Sequence, residues 1–125
     1  MAEWLFNRKG NPCLFLYEDR FISREGKNLG WLVNNNVYSL GGKHIGWFEN
    51  DVLYDEYNRT FAFQKEAIAC LPSVPWTEGN PEIPAIEDAP ERPDMSSEPG
   101  RPGYSLGWAE ENVEELFLID KKVEA

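Results

Sequence analysis

The stretch FISREGKNLGW at residues 21–31 returns sixteen residues later as VYSLGGKHIGW at residues 37–47. Each copy ends in a Gly-Trp pair and carries a glycine five residues before its tryptophan. The same spacing extends outward on both sides, and the equivalent positions are Gly10, Gly26, Gly42 and Asn58. Gly and Asn tolerate a positive φ better than other residues, so these positions indicate four equivalent tight turns. A fixed period of this kind is typical of repeat architectures.

Apolar columns keep the same period on either side of the turns. Five residues after the turn residue come Phe15, Trp31, Trp47 and Phe63. The two columns before the turn are Phe6, Ile22, Tyr38 and Tyr54, and Leu5, Phe21, Val37 and Leu53. Sixteen residues suit a hairpin of two short strands, and one hairpin cannot bury its apolar face alone. The sequence therefore predicts an all-β fold, a small closed four-fold pseudo-symmetric β-barrel of four tandem 16-residue hairpins.

A two-residue loop at each of these turns would pair Tyr38 with Ile45 and Val37 with Gly46. Strand alternation then places the Tyr38 column on one face with the aromatic column and with Cys13, Leu29, Ile45 and Phe61. We expect that face to be the core. The opposite face carries the Val37 column, across from the small residues Gly30, Gly46 and Ala62. Their missing side chains leave room for the chain's own C-terminal segment, a ligand or a partner.

Three regions are expected along the chain. Residues 1–70 form the hairpin domain, residues 71–103 a Pro-rich acidic segment, and residues 104–125 a C-terminal Trp-containing segment. Eight of the nine prolines fall between residues 71 and 103, which favours an extended conformation over helix or sheet. This segment is either a flexible linker or a strap that wraps the barrel.

A strap would have Trp76 and Ile86 as its anchors. The last region resumes helical periodicity, with acidic residues at its start and Lys121 and Lys122 near its end. This pattern predicts a short amphipathic helix over residues 109–119. The helix either docks on the barrel or recruits another protein.

Charge and cysteine content restrict the class of protein. Residues 1–70 hold eight Lys+Arg and nine Asp+Glu, whereas residues 71–125 hold four and thirteen, so nearly all of the net charge of −10 belongs to the second half. Such a field repels phosphate, and we expect no nucleic-acid polymer as a partner. The sequence has no run of 18 apolar residues, so we expect no membrane span. Cys13 and Cys70 are expected to be reduced thiols in a cytoplasmic protein, with a disulfide or a reactive thiol as the alternatives.

Few residues suggest chemistry. His44 is the single histidine, and no catalytic triad, metal-ligand spacing or cofactor motif accompanies it, so no cofactor is expected. We expect His44 to lie on an exposed rim, with no task or with a ligand contact. Lys27, Lys43 and Arg59 are equivalent in the repeat and would form a positive ring at one mouth, either to attract an anion or only to aid solubility.

Trp31 and Trp47 either belong to the core or line an apolar central pocket. The candidate ligand-binding residues are Trp31, Trp47, His44, Lys27, Lys43, Arg59, Tyr38 and Tyr54. The leading interpretation is a non-enzymatic binding module for a small amphipathic or anionic ligand, lipid-like or nucleotide-like, at an aromatic-lined centre with a basic rim. One alternative is a protein interaction or assembly scaffold, including a homo-oligomer, that uses the acidic tail or residues 104–125. The other is an enzyme that uses His44.

The runs GKHIGWF at residues 42–48, VLYD at 52–55 and TFAF at 60–63 resemble the four-fold β-flower family of small bacterial proteins. The order of repeats, Pro-rich segment and Trp-containing tail resembles it as well. The resemblance implies a shallow, flower-like β-barrel around a hydrophobic centre. Repeats one and four depart from the pattern, because Leu14-Phe15 and Ala62-Phe63 replace the Gly-Trp pair.

Overall fold

The computed structural model of the chain describes residues 2–65, 67, 76–103, 107–110 and 112–117. Its strands are β1 (Ala2–Phe6), β2 (Pro12–Tyr17), β3 (Arg20–Ser23), β4 (Asn28–Val33), β5 (Asn36–Ser39), β6 (His44–Glu49), β7 (Val52–Asp55) and β8 (Thr60–Phe63). All neighbours are antiparallel and the sheet closes in the order β1 to β8, with Phe6 paired to Phe63 at the seam. The predicted closed all-β barrel is confirmed.

The predicted C-terminal helix is present as α1, over Val113–Phe117. Residues 109, 110 and 112 are not helical, so the predicted start at residue 109 was wrong. Residues 111, 118 and 119 of the predicted range lie outside the described residues, as do Cys70 and the first prolines of the Pro-rich segment. No helix of the described part of the chain is long and apolar enough to cross a membrane.

The four turns that follow β1, β3, β5 and β7 are three-residue loops. At the second of them, Gly26 N–H donates to the Ser23 carbonyl at 3.0 Å and Ser23 N–H donates to the Lys27 carbonyl at 2.8 Å. The third loop residue is left-handed each time, with φ of 82°, 90°, 92° and 62° at Gly10, Gly26, Gly42 and Asn58. A left-handed third residue is typical of three-residue hairpin loops. The expectation of two-residue loops at these turns was wrong.

A polar column that the sequence reading missed closes each of these loops from inside. The residue three before the left-handed position is Asn7, Ser23, Ser39 or Asp55. Ser23 Oγ accepts the N–H groups of Glu25 and Lys27 at 3.3 and 3.1 Å. Asp55 Oδ1 accepts those of Tyr57 and Arg59 at 3.0 and 2.8 Å. Such side-chain caps satisfy backbone donors that the tight loop leaves without partners.

The three-residue loop changes the strand register. Val37 pairs with Gly46 as expected, but Tyr38 pairs with His44 and not with Ile45. Corresponding shifts occur in the other three hairpins. The extra residue is a β-bulge, and residues on its two sides exchange faces of the sheet. The predicted pairing of Tyr38 with Ile45 was therefore wrong.

The predicted inside and outside of the barrel are also reversed, and the bulge adds the Ile45 column to the face of Val37. Leu5, Phe21, Val37 and Leu53, one from each hairpin, are fully buried. They form one cluster with Leu29, Ile45 and Phe61, so this face lines the interior. The column of Phe6, Ile22, Tyr38 and Tyr54 faces outward with the aromatic column. The face predicted to be the core is thus the outer face, and it is buried because other parts of the chain cover it.

The cover is a strap, defined here as residues 76–103, and it carries a second period. Its prolines repeat every nine residues, at Pro81, Pro90 and Pro99 and at Pro84, Pro93 and Pro102. The backbone N–H groups of Glu78, Glu87 and Ser96, also nine apart, donate to the carbonyls of Gly10, Gly26 and Gly42 at 2.8 to 2.9 Å. Each of three successive turns therefore receives one hydrogen bond from its own nine-residue unit of the strap.

The two predicted anchors of the strap differ in role. Ile86 is partly buried and packs against the outer cluster of Trp4, Phe6, Phe15, Ile22, Val52, Tyr54, Phe63 and Ala67. Trp76 leaves 80% of its surface exposed, and only its backbone carbonyl approaches Gly10. The prediction that the Trp76 side chain is an anchor was wrong, since the strap holds this turn through its backbone.

After the strap, the chain passes from the outside of the barrel to its mouth. Thr60 N–H donates to the Gly107 carbonyl at 3.3 Å, and Ala109 N–H donates to the Thr60 carbonyl at 2.8 Å. Leu116 and Phe117 of α1 are then buried in the interior cluster. Phe117 packs over Gly30, one of the small residues of the barrel. The sequence allowed three occupants for the space at these residues, and the one observed here is the chain's own C-terminal segment.

The contact between strap and turn predicts a large cost for one added methyl group. A Cβ on Gly26 would collide with the Ala85 carbonyl oxygen, and the φ of 90° is itself unfavourable for alanine. Gly26→Ala should lower the free energy of unfolding by about 2 kcal/mol in urea titrations. Gly79→Ala is the control, because nothing lies within 4 Å of its Cβ position. Equal effects of the two substitutions would contradict the described docking of the strap.

Candidate functional site

The predicted aromatic site residues lie together on the outer face, beneath the strap, and not around the barrel axis. Trp31, Trp47, Tyr38, Tyr54 and His44 are all at least 92% buried. Trp31 pairs with Tyr38, and Trp47 with Tyr54, on neighbouring strands. The expected aromatic-lined central pocket is therefore wrong in its placement, because these rings lie on the outer face of the barrel, where the strap covers them.

His44 lies at the centre of this outer layer. Its Nε2 is 2.9 Å from Asn36 Oδ1, and its ring packs edge-on against Tyr38 and Trp47 with centroids 5.3 and 4.9 Å away. Its backbone N–H donates to Ser96 Oγ of the strap at 2.9 Å. The expectation of an exposed rim histidine was wrong, because the bulge carries this column under the strap.

The protonation of His44 is biased by its surroundings. Burial lowers the pKa of His44 below its ordinary value of 6.5, while the negative charge of Glu98 acts in the opposite direction. Its Nδ1 is buried and has no hydrogen-bond partner among the described residues. A proton on Nδ1 would place a charge where no acceptor receives it, so the neutral imidazole is the form that fits.

Two arginines of the strap, nine residues apart, cover the two tryptophans. The Arg92 guanidinium lies 5.2 Å from the centre of the Trp31 ring, and that of Arg101 lies 5.3 Å from Trp47. Arg92 also binds Asp19 at 2.9 Å, and Arg101 binds Glu49 at 2.7 Å. Cation–π contacts of this kind strengthen when they exclude water. The aromatic residues predicted to bind a ligand thus bind the protein's own strap.

The three predicted rim cations do not share one environment. Arg59 is held by the buried Asp55 carboxylate at 2.8 Å. Lys27 lies 4.0 Å from Glu87, with both side chains largely exposed. Lys43 is exposed. A solvent-screened pair such as Lys27 with Glu87 contributes little stability. The three cations lie at separate turns in different environments.

A groove at the mouth of the barrel was missed by the sequence reading. Its volume is about 520 Å³. It lies between the first turn and the C-terminal segment, and its lining consists of Asn7, Arg8, Lys9, Cys13, Phe61, Ala109, Glu110, Asn112 and Val113. One signal was available in the sequence: Cys13, a smaller side chain, stands where the other repeats have Leu29, Ile45 and Phe61.

The groove combines an apolar floor with a cationic edge. Cys13, Phe61 and Val113 belong to or pack against the interior cluster. Arg8 and Lys9 are exposed at the edge, with Glu110 on the opposite, C-terminal side. Burial raises the pKa of the Cys13 thiol to about 12. The thiol is therefore protonated at neutral pH and serves as an apolar wall, not as a nucleophile.

Comparisons with known proteins identify the family. The family model of the 4-fold beta flower protein matches residues 3–117. Neither curated proteins nor solved structures gave a match. The chain belongs to the 4-fold beta flower protein family, and the match covers the barrel, the strap and α1. The described part of the chain holds no group of three His, Cys, Asp or Glu residues placed to bind a metal ion.

The environment of His44 predicts a pH dependence of stability. Because its pKa is lowered in the folded state, the unfolded chain binds the proton more readily, and stability falls as the pH drops below 6.5. Urea titrations at about pH 7.5 and about pH 5.5 should show a smaller loss for His44→Gln than for the native chain. A loss of the same size in both would show that another group is responsible.

Proposed function

We propose that this 4-fold beta flower protein is a non-enzymatic binding module that holds a small amphipathic anion in the mouth groove. The observation that carries the proposal is the joining of an apolar floor and two exposed cations in one cavity of about 520 Å³. Small-molecule sites typically have about 300–1,000 Å³, and the volume of the groove falls within that range. The proposal keeps the ligand class expected from the sequence and moves its site.

The ligand's apolar part would lie on Phe61, Val113 and Cys13. Apolar surface that leaves water there contributes about 25 cal/mol per Å² before the costs of immobilisation. Its anionic head would lie at Arg8 and Lys9, whose donors suit a carboxylate or a phosphate. The positive field of Arg24 also reaches the Cys13 thiol, so a third cation favours an anion at this end of the barrel.

A single negative charge suits the groove better than several. Glu110 lines the same cavity, and the strap carries seven acidic side chains against two arginines. A polyphosphate would meet this opposing field, whereas one carboxylate would pair with the local cations at smaller cost. We therefore favour a lipid-like carboxylate over a nucleotide-like ligand.

The alternative of a partner-recruiting tail is less favoured. Leu116 and Phe117, the apolar side chains that a partner would contact, are buried in the barrel. They become available only when the tail leaves the mouth, which would expose the interior cluster to water. The Trp76 side chain on the acidic strap is 80% exposed, and this exposed aromatic ring favours a protein contact at the strap.

Decanoate is a suitable probe for the groove, and isothermal titration calorimetry measures its binding to the full chain. Arg8→Glu should weaken binding about tenfold, since a cation beside the carboxylate is replaced by a like charge. Lys43→Glu makes a closely similar charge change on the exposed third turn and should leave the Kd within about twofold. Equal weakening by both variants, or no binding to the native chain, would refute the proposal.

A further inference from the structure

The interior of the barrel contains a recess of a definite shape. Gly30 lacks a side chain there: a Cβ on Gly30 would collide with the backbone carbonyl oxygen of Tyr38 and would lie 3.0 and 3.1 Å from Phe117 Cδ1 and Cε1, so the Phe117 ring packs directly over the glycine. The ring is 1% exposed and lies 5.6 Å from the ring of Phe21. An aromatic ring is thus the group that this recess accommodates.

The occupant of the recess is attached to a short element. The helix α1 has five residues, and a helix of this length is not stable by itself in water. Its N-terminus is capped by Asn112, whose Oδ1 accepts the Glu115 N–H at 2.9 Å. Packing of Leu116 and Phe117 into the mouth therefore supplies much of what keeps the helix in place.

The recess adjoins the mouth groove through the same helix. Val113 lines the groove and lies one helical turn before Phe117, so the two side chains share a face of α1. Glu110 lines the groove as well. The C-terminal segment thus carries one carboxylate at the groove and, further along the chain, one aromatic ring in the interior cluster against which Val113 packs.

We propose that the recess over Gly30 is a second subsite of the mouth groove, and that Phe117 occupies it as an intramolecular substitute for a ligand's ring. The ligand class is then an aryl carboxylate, with its ring on Gly30 beside Phe21 and its carboxylate at Arg8 and Lys9. This inference rests on the proposed function of the groove. Phe117 competes with the ligand, so the apparent affinity is reduced by the fraction of molecules whose recess is filled.

The probe for this subsite is 4-phenylbutyrate, titrated into the full chain by calorimetry. Phe117→Ala empties the recess and should tighten its binding about tenfold, because the competing ring is gone. Phe63→Ala is the matched control, since Phe63 is equally buried but belongs to the outer cluster. Tighter binding to both variants would mean that general loosening of the fold, and not the recess, is responsible.

A second measurement uses the native chain and does not depend on the stability of a variant. Saturation with 4-phenylbutyrate should remove the nuclear Overhauser contacts between the rings of Phe117 and Phe21 and replace them with contacts between Phe21 and the probe. Persistence of the Phe117–Phe21 contacts in the saturated protein would overturn the subsite. If decanoate still binds in an Arg8-dependent manner, the proposed function survives that result; if decanoate binding is absent, the proposed function itself fails.

Discussion

The backbone conformation at four positions determines much of the remaining structure. Gly10, Gly26, Gly42 and Asn58 are left-handed, as is typical of the third residue of a three-residue loop. Each loop is therefore one residue longer than a two-residue hairpin loop. The extra residue enters the following strand as a bulge, which places the column of Leu29, Ile45 and Phe61 on the same face as the column of Phe21, Val37 and Leu53. The aliphatic column consequently fills the interior and the aromatic column faces outward. The same glycines then lack the Cβ that would prevent the strap from approaching.

The outward aromatic face explains why a 64-residue stretch of hairpins is followed by an acidic, proline-rich segment. Exposed rings on four hairpins would form a large apolar surface, which soluble proteins rarely leave open. The strap provides one nine-residue unit for each of three hairpins, with a backbone hydrogen bond at three turns and an arginine over Trp31 and over Trp47. Proline suits this task because an extended strand that fixes φ loses less entropy on docking.

The sequence predicted the features that depend on the repeat period and on composition. It failed for the features that depend on a one-residue difference in loop length. Four turns, eight strands and closure follow from the columns, and those predictions are confirmed. The faces could not be assigned, because a two-residue and a three-residue loop place Tyr38 opposite different partners and only the geometry distinguishes them. The nine-residue proline period was visible in the sequence, but its alignment with the hairpins depends on contacts between distant residues. The groove was not predicted because one of its sides is formed by the docked C-terminal segment.

Symmetry and its loss divide the molecule into a supporting part and a candidate binding part. Where the repeat is regular, Arg92 and Arg101 of the strap lie over Trp31 and Trp47, and both tryptophan side chains are buried. The first quadrant departs from the pattern through Cys13, and there the single C-terminal segment covers only part of the mouth. A four-fold barrel with one tail cannot be filled equally on all sides. A binding site is therefore expected at the quadrant that the tail leaves open, and it is there that apolar floor and free edge meet.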